Sequence, residues 1–150
     1  MTLRYGENPH QQAGLYLPPG EPTGLARAEV LQVKALSYNN WMDMDAAYAL
    51  PADLGPKGIV IVKHANPCGA ARSMDSLLAA YDAARACDPV SAFGGIVATR
   101  GVIDASLAET LTETFLEVIL ASEITEDARA ILARKKRLRV LTLDSAGWHR

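Results

Sequence analysis

Gly58-Ile59-Val60-Ile61-Val62-Lys63-His64-Ala65-Asn66-Pro67-Cys68-Gly69 runs an unbroken apolar stretch into a polar turn. The run shows no alternation of apolar and polar residues, so it suits a strand covered on both faces and belongs at the centre of a helix-covered sheet. Working outward toward the C-terminus, Asn66, Pro67 and Gly69 predict a loop, and Ser73 can cap a helix with Leu77, Leu78, Tyr81 and the Arg85 stem on one face. Asp88-Pro89 ends that helix. Residues 93–99 form a second strand, Ser106-Leu107-Ala108-Glu109 spells a capping box, and Val118-Ile119-Leu120 is a third strand. Thr125 opens a helix with Glu126 and Asp127 in its first turn and Lys135, Lys136 and Arg137 in its last. A final strand covers 138–143.

Toward the N-terminus, Trp41, Met44 and Tyr48 recur on one helical face behind a cap at Asn39 or Asn40, and Pro51 stops the helix. Residues 28–36 read as a strand with Val30 and Val33 as its strongest apolar positions. Pro18, Pro19, Gly20, Pro22 and Gly24 make a turn-rich excursion, and residues 3–12 read as extended loop. Strands alternating with helices imply an α/β fold with a largely parallel sheet between helices.

The 150 residues carry 49% hydrophobic and 21% charged residues, enough for one packed domain. With 15 Lys and Arg against 17 Asp and Glu the formal net charge is -2, which disfavours nucleic acid and anionic membranes as partners. The richest apolar region is interrupted by Lys63, Asp75, Asp82 and Arg85 and falls short of the roughly 18 to 20 residues of a membrane helix. The N-terminus does not read as a secretory signal, so the expected location is cytoplasmic, with Cys68 and Cys87 as reduced thiols.

In open α/β sheets, ligands collect outside the carboxyl ends of strands, where Lys63 and His64 lie. If the chain bends after Val62, the imidazole can accept a proton while the neighbouring ammonium stabilises an oxyanion. The competing view is that Lys63 runs off the strand end and His64 makes one backbone hydrogen bond. A zinc deaminase places a metal-binding His near a Glu, with Pro-Cys-x-x-Cys farther on. Here Asn66 stands in place of the Glu, Cys68 has no Cys three residues later, and Cys87 lacks a partner at ligand spacing. In Asp88-Pro89-Val90-Ser91-Ala92-Phe93-Gly94-Gly95, paired glycines allow close approach to a flat ligand, or mark only a tight turn with a core Phe. Arg4-Tyr5 offers a guanidinium for a phosphate, or a solvated surface residue.

Taken together, Leu3-Arg4-Tyr5-Gly6-Glu7-Asn8-Pro9-His10-Gln11, Leu36-Ser37-Tyr38-Asn39-Asn40, the Lys63-His64 segment and the Asp88–Gly95 segment follow one another in an order that closely resembles a known family. The similarity is to the first part of the aminoimidazole carboxamide ribonucleotide (AICAR) transformylase domain of the bacterial bifunctional purine biosynthesis family. It implies a cytidine-deaminase-like α/β/α sandwich without the metal, and formyl transfer from 10-formyltetrahydrofolate to the 5-amino group of AICAR. By the same resemblance His64 is the proton acceptor, Lys63 stabilises the transition state, and Arg4, Tyr5, Gly94 and Glu117 hold the nucleotide. Asn66, Pro67, Ser91 and Phe93 would support the site. The resemblance further implies a homodimer in the full-length protein and no zinc. Residues 1–150 would be the N-terminal part of the transformylase domain, without the cyclohydrolase domain and the later half, so the chain reads as a fragment. A nucleotide-binding module without catalysis of its own, and a zinc nucleobase deaminase, are the alternatives.

Overall fold

The computed structural model describes residues 1–32 and 35–148. In chain order these form β1 (Glu29–Gln32), α1 (Tyr38–Ala49), α2 (Pro51–Leu54), β2 (Gly58–Lys63), β3 (Asn66–Arg72), α3 (Leu77–Cys87) and α4 (Pro89–Ala92). They continue with β4 (Gly95–Ile103), α5 (Ala105–Glu113), β5 (Leu116–Ile124), α6 (Glu126–Leu132) and β6 (Arg139–Thr142). One six-stranded sheet has the order β1-β6-β5-β4-β2-β3. The pairs β4–β5 and β5–β6 are parallel, and β1–β6, β2–β4 and β2–β3 are antiparallel. The sheet is therefore mixed, with its parallel pairs adjoining in the middle.

Alternation along the strands divides the core into two layers. Ile59, Ile61, Val97, Ile119 and Val140 face α3, α5 and α6, while Val60, Val62, Ile96, Val118, Leu120 and Leu141 face α1 with Met44, Ala47 and Tyr48. Helices thus cover both faces, as the unbroken apolar run of β2 requires. Trp148 closes the second layer, its ring 5.5 Å from Tyr48.

The expected loop after β2 is instead a strand. Lys63 pairs with Asn66, leaving only His64 and Ala65 in the turn, and β3 runs back along β2 with a bulge opposite Ile61 and Val62. Pro67 is compatible with a strand here because β3 is the sheet edge, where a missing N–H need not serve a second ladder. Reversal through β3 makes β2 antiparallel to β4, which is where the expectation of successive parallel strands gives way.

Helix starts also shift toward the residue best placed to accept an N3 amide. Ser37, not Asn39 or Asn40, caps α1, and Asn40 returns the bond as the N3 partner of a capping box. Ser76 rather than Ser73 caps α3, and Asp104 rather than Ser106 caps α5. The α6 helix ends at Leu132, so Lys135, Lys136 and Arg137 follow it in an exposed turn. The 93–99 strand begins at Gly95, leaving Phe93 outside it and exposed. Val30 is also exposed, because β1 is the other sheet edge, and Val33 lies outside the described residues. Among the described residues, no helix is long and apolar enough to cross a membrane.

Candidate functional site

Among the described residues, the hairpin tip at the end of β2 is the conformational outlier outside glycine. His64 and Ala65 have φ of 52° and 57°, the left-handed pair that a two-residue hairpin turn demands and that Asn-Gly normally supplies. For residues bearing a Cβ this conformation costs about 1–2 kcal/mol each. Two side chains hold it: Asn66 Nδ2 donates to the His64 carbonyl at 2.8 Å, and Asp43 Oδ1 accepts from the Ala65 amide at 2.7 Å. Asp43 reaches the tip from α1. Burial pushes its carboxyl above the usual range, against the pull of the Ala65 amide and of His64.

Lys63 turns toward the opposite wall, where its Nζ donates to the Phe93 carbonyl at 2.7 Å. That wall is the tight turn between α4 and β4. Gly94 sits there at φ 75°, and its amide donates to the Phe115 carbonyl at 2.8 Å, so a side chain at this position would be strained. The rings of Phe93 and Phe115 lie 5.3 Å apart. Asp88, whose carboxyl the Ser91 hydrogen bonds hold below its usual range, caps α4 and fixes the turn from below.

Glu117, at the start of β5, accepts from Asn40 Nδ2 at 2.9 Å and lies 3.6 Å from a terminal nitrogen of Arg139. The Arg139 side chain is only 3% exposed, and its Nε donates to the Ala35 carbonyl. Burial pulls the Arg139 guanidinium below its ordinary value while the Glu117 charge opposes that shift. Arg4 adds to the lowering, which puts a second guanidinium on this side. The Arg4 guanidinium carbon lies 5.3 Å from the centroid of the Tyr5 ring. The N-terminal loop is stitched to the start of α1 by bonds from the Arg4 amide to Leu36 and from the Tyr38 amide to Tyr5.

These segments enclose a cavity of about 530 Å³. Tyr5 and Glu7 come from the N-terminal loop, Asn39, Asn40 and Asp43 from α1, and Lys63 and His64 from the hairpin. Phe93 and Gly94 come from the turn before β4, and Glu117 from β5. Of the residues singled out in the sequence, the cavity unites Tyr5, Lys63, His64, Phe93, Gly94 and Glu117. Arg4 stands beside it rather than on its lining. Asn66 braces the turn, Pro67 lies at the bulge and Ser91 belongs to α4, so these three do not line the cavity.

Asp43 and Arg139 escaped the sequence reading. Asp43 follows Asn39 by four residues and Asn40 by three, which makes the three a polar patch on a helix whose other face is core, and that pattern was the available signal. Arg139 gave none, because nothing local distinguishes it from the neighbouring basic residues.

The location also differs from the carboxyl-end expectation. Lys63 and His64 do lie at the carboxyl end of β2, but β2 is antiparallel to β4, so β4, β5 and β6 present their amino ends to the cavity. Gly94 precedes β4, Glu117 is the second residue of β5 and Arg139 the first of β6. Chemically, the cavity juxtaposes an imidazole, an ammonium donor and several carboxylates with exposed aromatic surface. That set suits binding a polar heterocycle and moving a proton on it. Among the described residues, no group of three His, Cys, Asp or Glu is placed to hold a metal ion.

A family model described as AICARFT/IMPCHase bienzyme matches residues 1–149. The chain is 54% identical over 143 residues to the bifunctional purine biosynthesis protein PurH of Chelativorans sp. (strain BNC1), covering 93% of this chain and 26% of that protein. It is 51% identical over 144 residues to the PurH of Rhizobium rhizogenes (strain K84 / ATCC BAA-868), covering 94% of this chain and 27% of that relative. The PurH of Brucella abortus (strain S19) is 53% identical over 143 residues, with 93% and 26% covered. The chain therefore spans about a quarter of the length of these relatives.

Proposed function

The chain belongs to the AICARFT/IMPCHase bienzyme family, and from that premise we propose that it contributes the catalytic hairpin and part of the nucleotide site for formyl transfer from 10-formyltetrahydrofolate to the 5-amino group of AICAR. Residues 1–150 would be the first part of the transformylase domain. The observation that carries the reading is the convergence of Lys63 and His64 with Tyr5, Gly94 and Glu117 on one cavity, drawn from segments far apart in sequence.

In this proposal His64 takes the proton from the AICAR amine as its nitrogen bonds to the formyl carbon, and Lys63 faces the oxygen that becomes anionic. The bond to the folate nitrogen then breaks, and that nitrogen takes up a proton. One of the three Lys63 donors is held by the Phe93 carbonyl, which aims the ammonium and leaves two donors for the oxyanion. Arg4, Tyr5, Gly94 and Glu117 would bind the nucleotide, with Asn40 and Arg139 fixing the Glu117 carboxylate. No zinc takes part in this scheme. The resemblance extends the proposal to a homodimeric, cytoplasmic full-length protein.

The test is a formyl-transfer assay on the full-length protein carrying this segment. His64→Ala should lower turnover by ~10²–10⁴-fold and leave AICAR binding within a modest factor, since a general base acts on the transition state. Near-normal turnover in that variant would remove His64 from the role. Because the chain covers only about a quarter of its relatives, a second reading applies to it in isolation: a nucleotide-binding piece without catalysis of its own.

A further inference from the structure

We infer that Asp43 is a positioning residue of this site, clamping the left-handed His64-Ala65 turn and so setting the imidazole against Lys63. The inference rests on the formyl-transfer reading of the same cavity. Among the described residues, His64 and Ala65 are the non-glycine positions at positive φ, and they are consecutive. Ala65 is not a residue that such a turn prefers, so its conformation is imposed by its surroundings. The Lys63–Asn66 pair closes the hairpin but leaves the tip amides outside the ladder. The Asn66 side chain engages a carbonyl within the hairpin itself.

The hold from another element is the 2.7 Å bond from the Ala65 amide to Asp43 Oδ1. Its carboxylate acceptor makes this bond stronger than a neutral contact. Asp43 is itself rigidly placed, because the next residue, Met44, is fully buried beneath α1. The same helix carries Asn40, which holds Glu117. One helix therefore registers the hairpin tip against the opposite wall of the cavity, and loss of the Asp43 bond would free the tip while the rest of the wall stayed in place.

The test uses the full-length protein with Asp43→Ala, Asp43→Asn, and Asp43→Ala combined with Ala65→Gly. Asp43→Ala should lower kcat by about a hundredfold, the scale of a misplacement near 1 Å, with the KM for AICAR within about threefold. Asp43→Asn keeps an acceptor oxygen and should recover most of that loss. Ala65→Gly in the Asp43→Ala background should recover about tenfold, because glycine adopts the left-handed turn without a clamp. Amide exchange at Ala65 should quicken in Asp43→Ala. A kcat for Asp43→Ala within about threefold of wild type, or an Asp43→Asn enzyme as slow as Asp43→Ala, would overturn the positioning role. If the wild-type protein lacked formyl transfer, the functional reading would fail instead. Ala65 exchange would then still decide the clamp, with equal rates in wild type and Asp43→Ala rejecting it.

Discussion

Lys63 and Arg4 stand at different distances from the proposed chemistry, and kinetics should separate them. The Lys63 ammonium is held at the cavity wall by the Phe93 carbonyl, on the same cavity as Gly94. Its proposed work is confined to the transition state, so Lys63→Ala in the full-length protein should reduce kcat by about 10²–10³-fold with little change in KM. Arg4 lies beside the cavity over the Tyr5 ring, and its proposed work is to hold an anionic group of the substrate in both ground and transition states. Arg4→Ala should therefore raise the KM for AICAR about tenfold or more at nearly constant kcat. Steady-state kinetics of both variants checks this, and a reversed pattern would exchange their assignments.

At the scale of elements, the packing of α3 on the edge hairpin depends on an absent side chain. A Cβ at Gly69 would sit 2.0 Å from the Ala84 carbonyl oxygen and 2.8 Å from its carbon. Both are helix backbone, so no rotamer change can make room. Gly69→Ala should push α3 away from β3 and cost about 3 kcal/mol, lowering Tm by roughly 6–12 °C in a chain of this size. Scanning calorimetry measures the shift, and a drop under about 2 °C would mean that α3 slides freely. The hairpin feels this contact directly, since Gly69 adjoins the bulge that turns β3 past Val62 toward the Lys63-His64 tip.

For the whole molecule, acid stability and catalytic self-sufficiency are the measurable consequences. Arg27 bonds to Asp144 through two nitrogens, at 3.2 and 2.6 Å, and joins the turn before β1 to the segment that carries Trp148. The Arg27 hydrogen bond, the Gly147 amide and the Arg27 charge hold the Asp144 carboxyl below its ordinary range. A depressed carboxyl binds fewer protons folded than unfolded, so its stabilisation is present above the unfolded value near pH ~4 and is lost as pH falls through the folded value. Asp43 has the opposite sign: raised by burial, it favours the fold most when protonated, and that contribution is lost as pH rises through its folded value. Asp144→Asn should melt below wild type at pH 7, and the gap should close toward pH 3. An equal gap at both would show that the ion pair contributes nothing through its charge. As for self-sufficiency, formyl transfer needs two substrates in near-attack geometry, and this chain holds about a quarter of its relatives' length. With saturating AICAR and 10-formyltetrahydrofolate, residues 1–150 alone should show no detectable transfer, whereas the full-length protein should be active. Comparable turnover from both would mean that the quarter suffices.

The sequence by itself determined the α/β class, because an unbroken β-branched run such as 59–62 leaves no face for water and demands helices on both sides. It also determined most element positions, and the family resemblance carried by its motifs implied Tyr5, Lys63, His64, Gly94 and Glu117 as site residues. Local patterns carry such information when the residue's own neighbours impose the structure. Tertiary structure decided what depends on partners remote in sequence. The 66–72 segment is a strand because β2 offers it a ladder, overriding the loop signal of Pro67 and Gly69. That reversal brings the amino ends of β4, β5 and β6 to the cavity. Asp43 acquires its role through a hydrogen bond to Ala65 and Arg139 through an ion pair with Glu117, each partner 22 residues away in sequence, and pairings across that separation cannot be read from neighbouring residues.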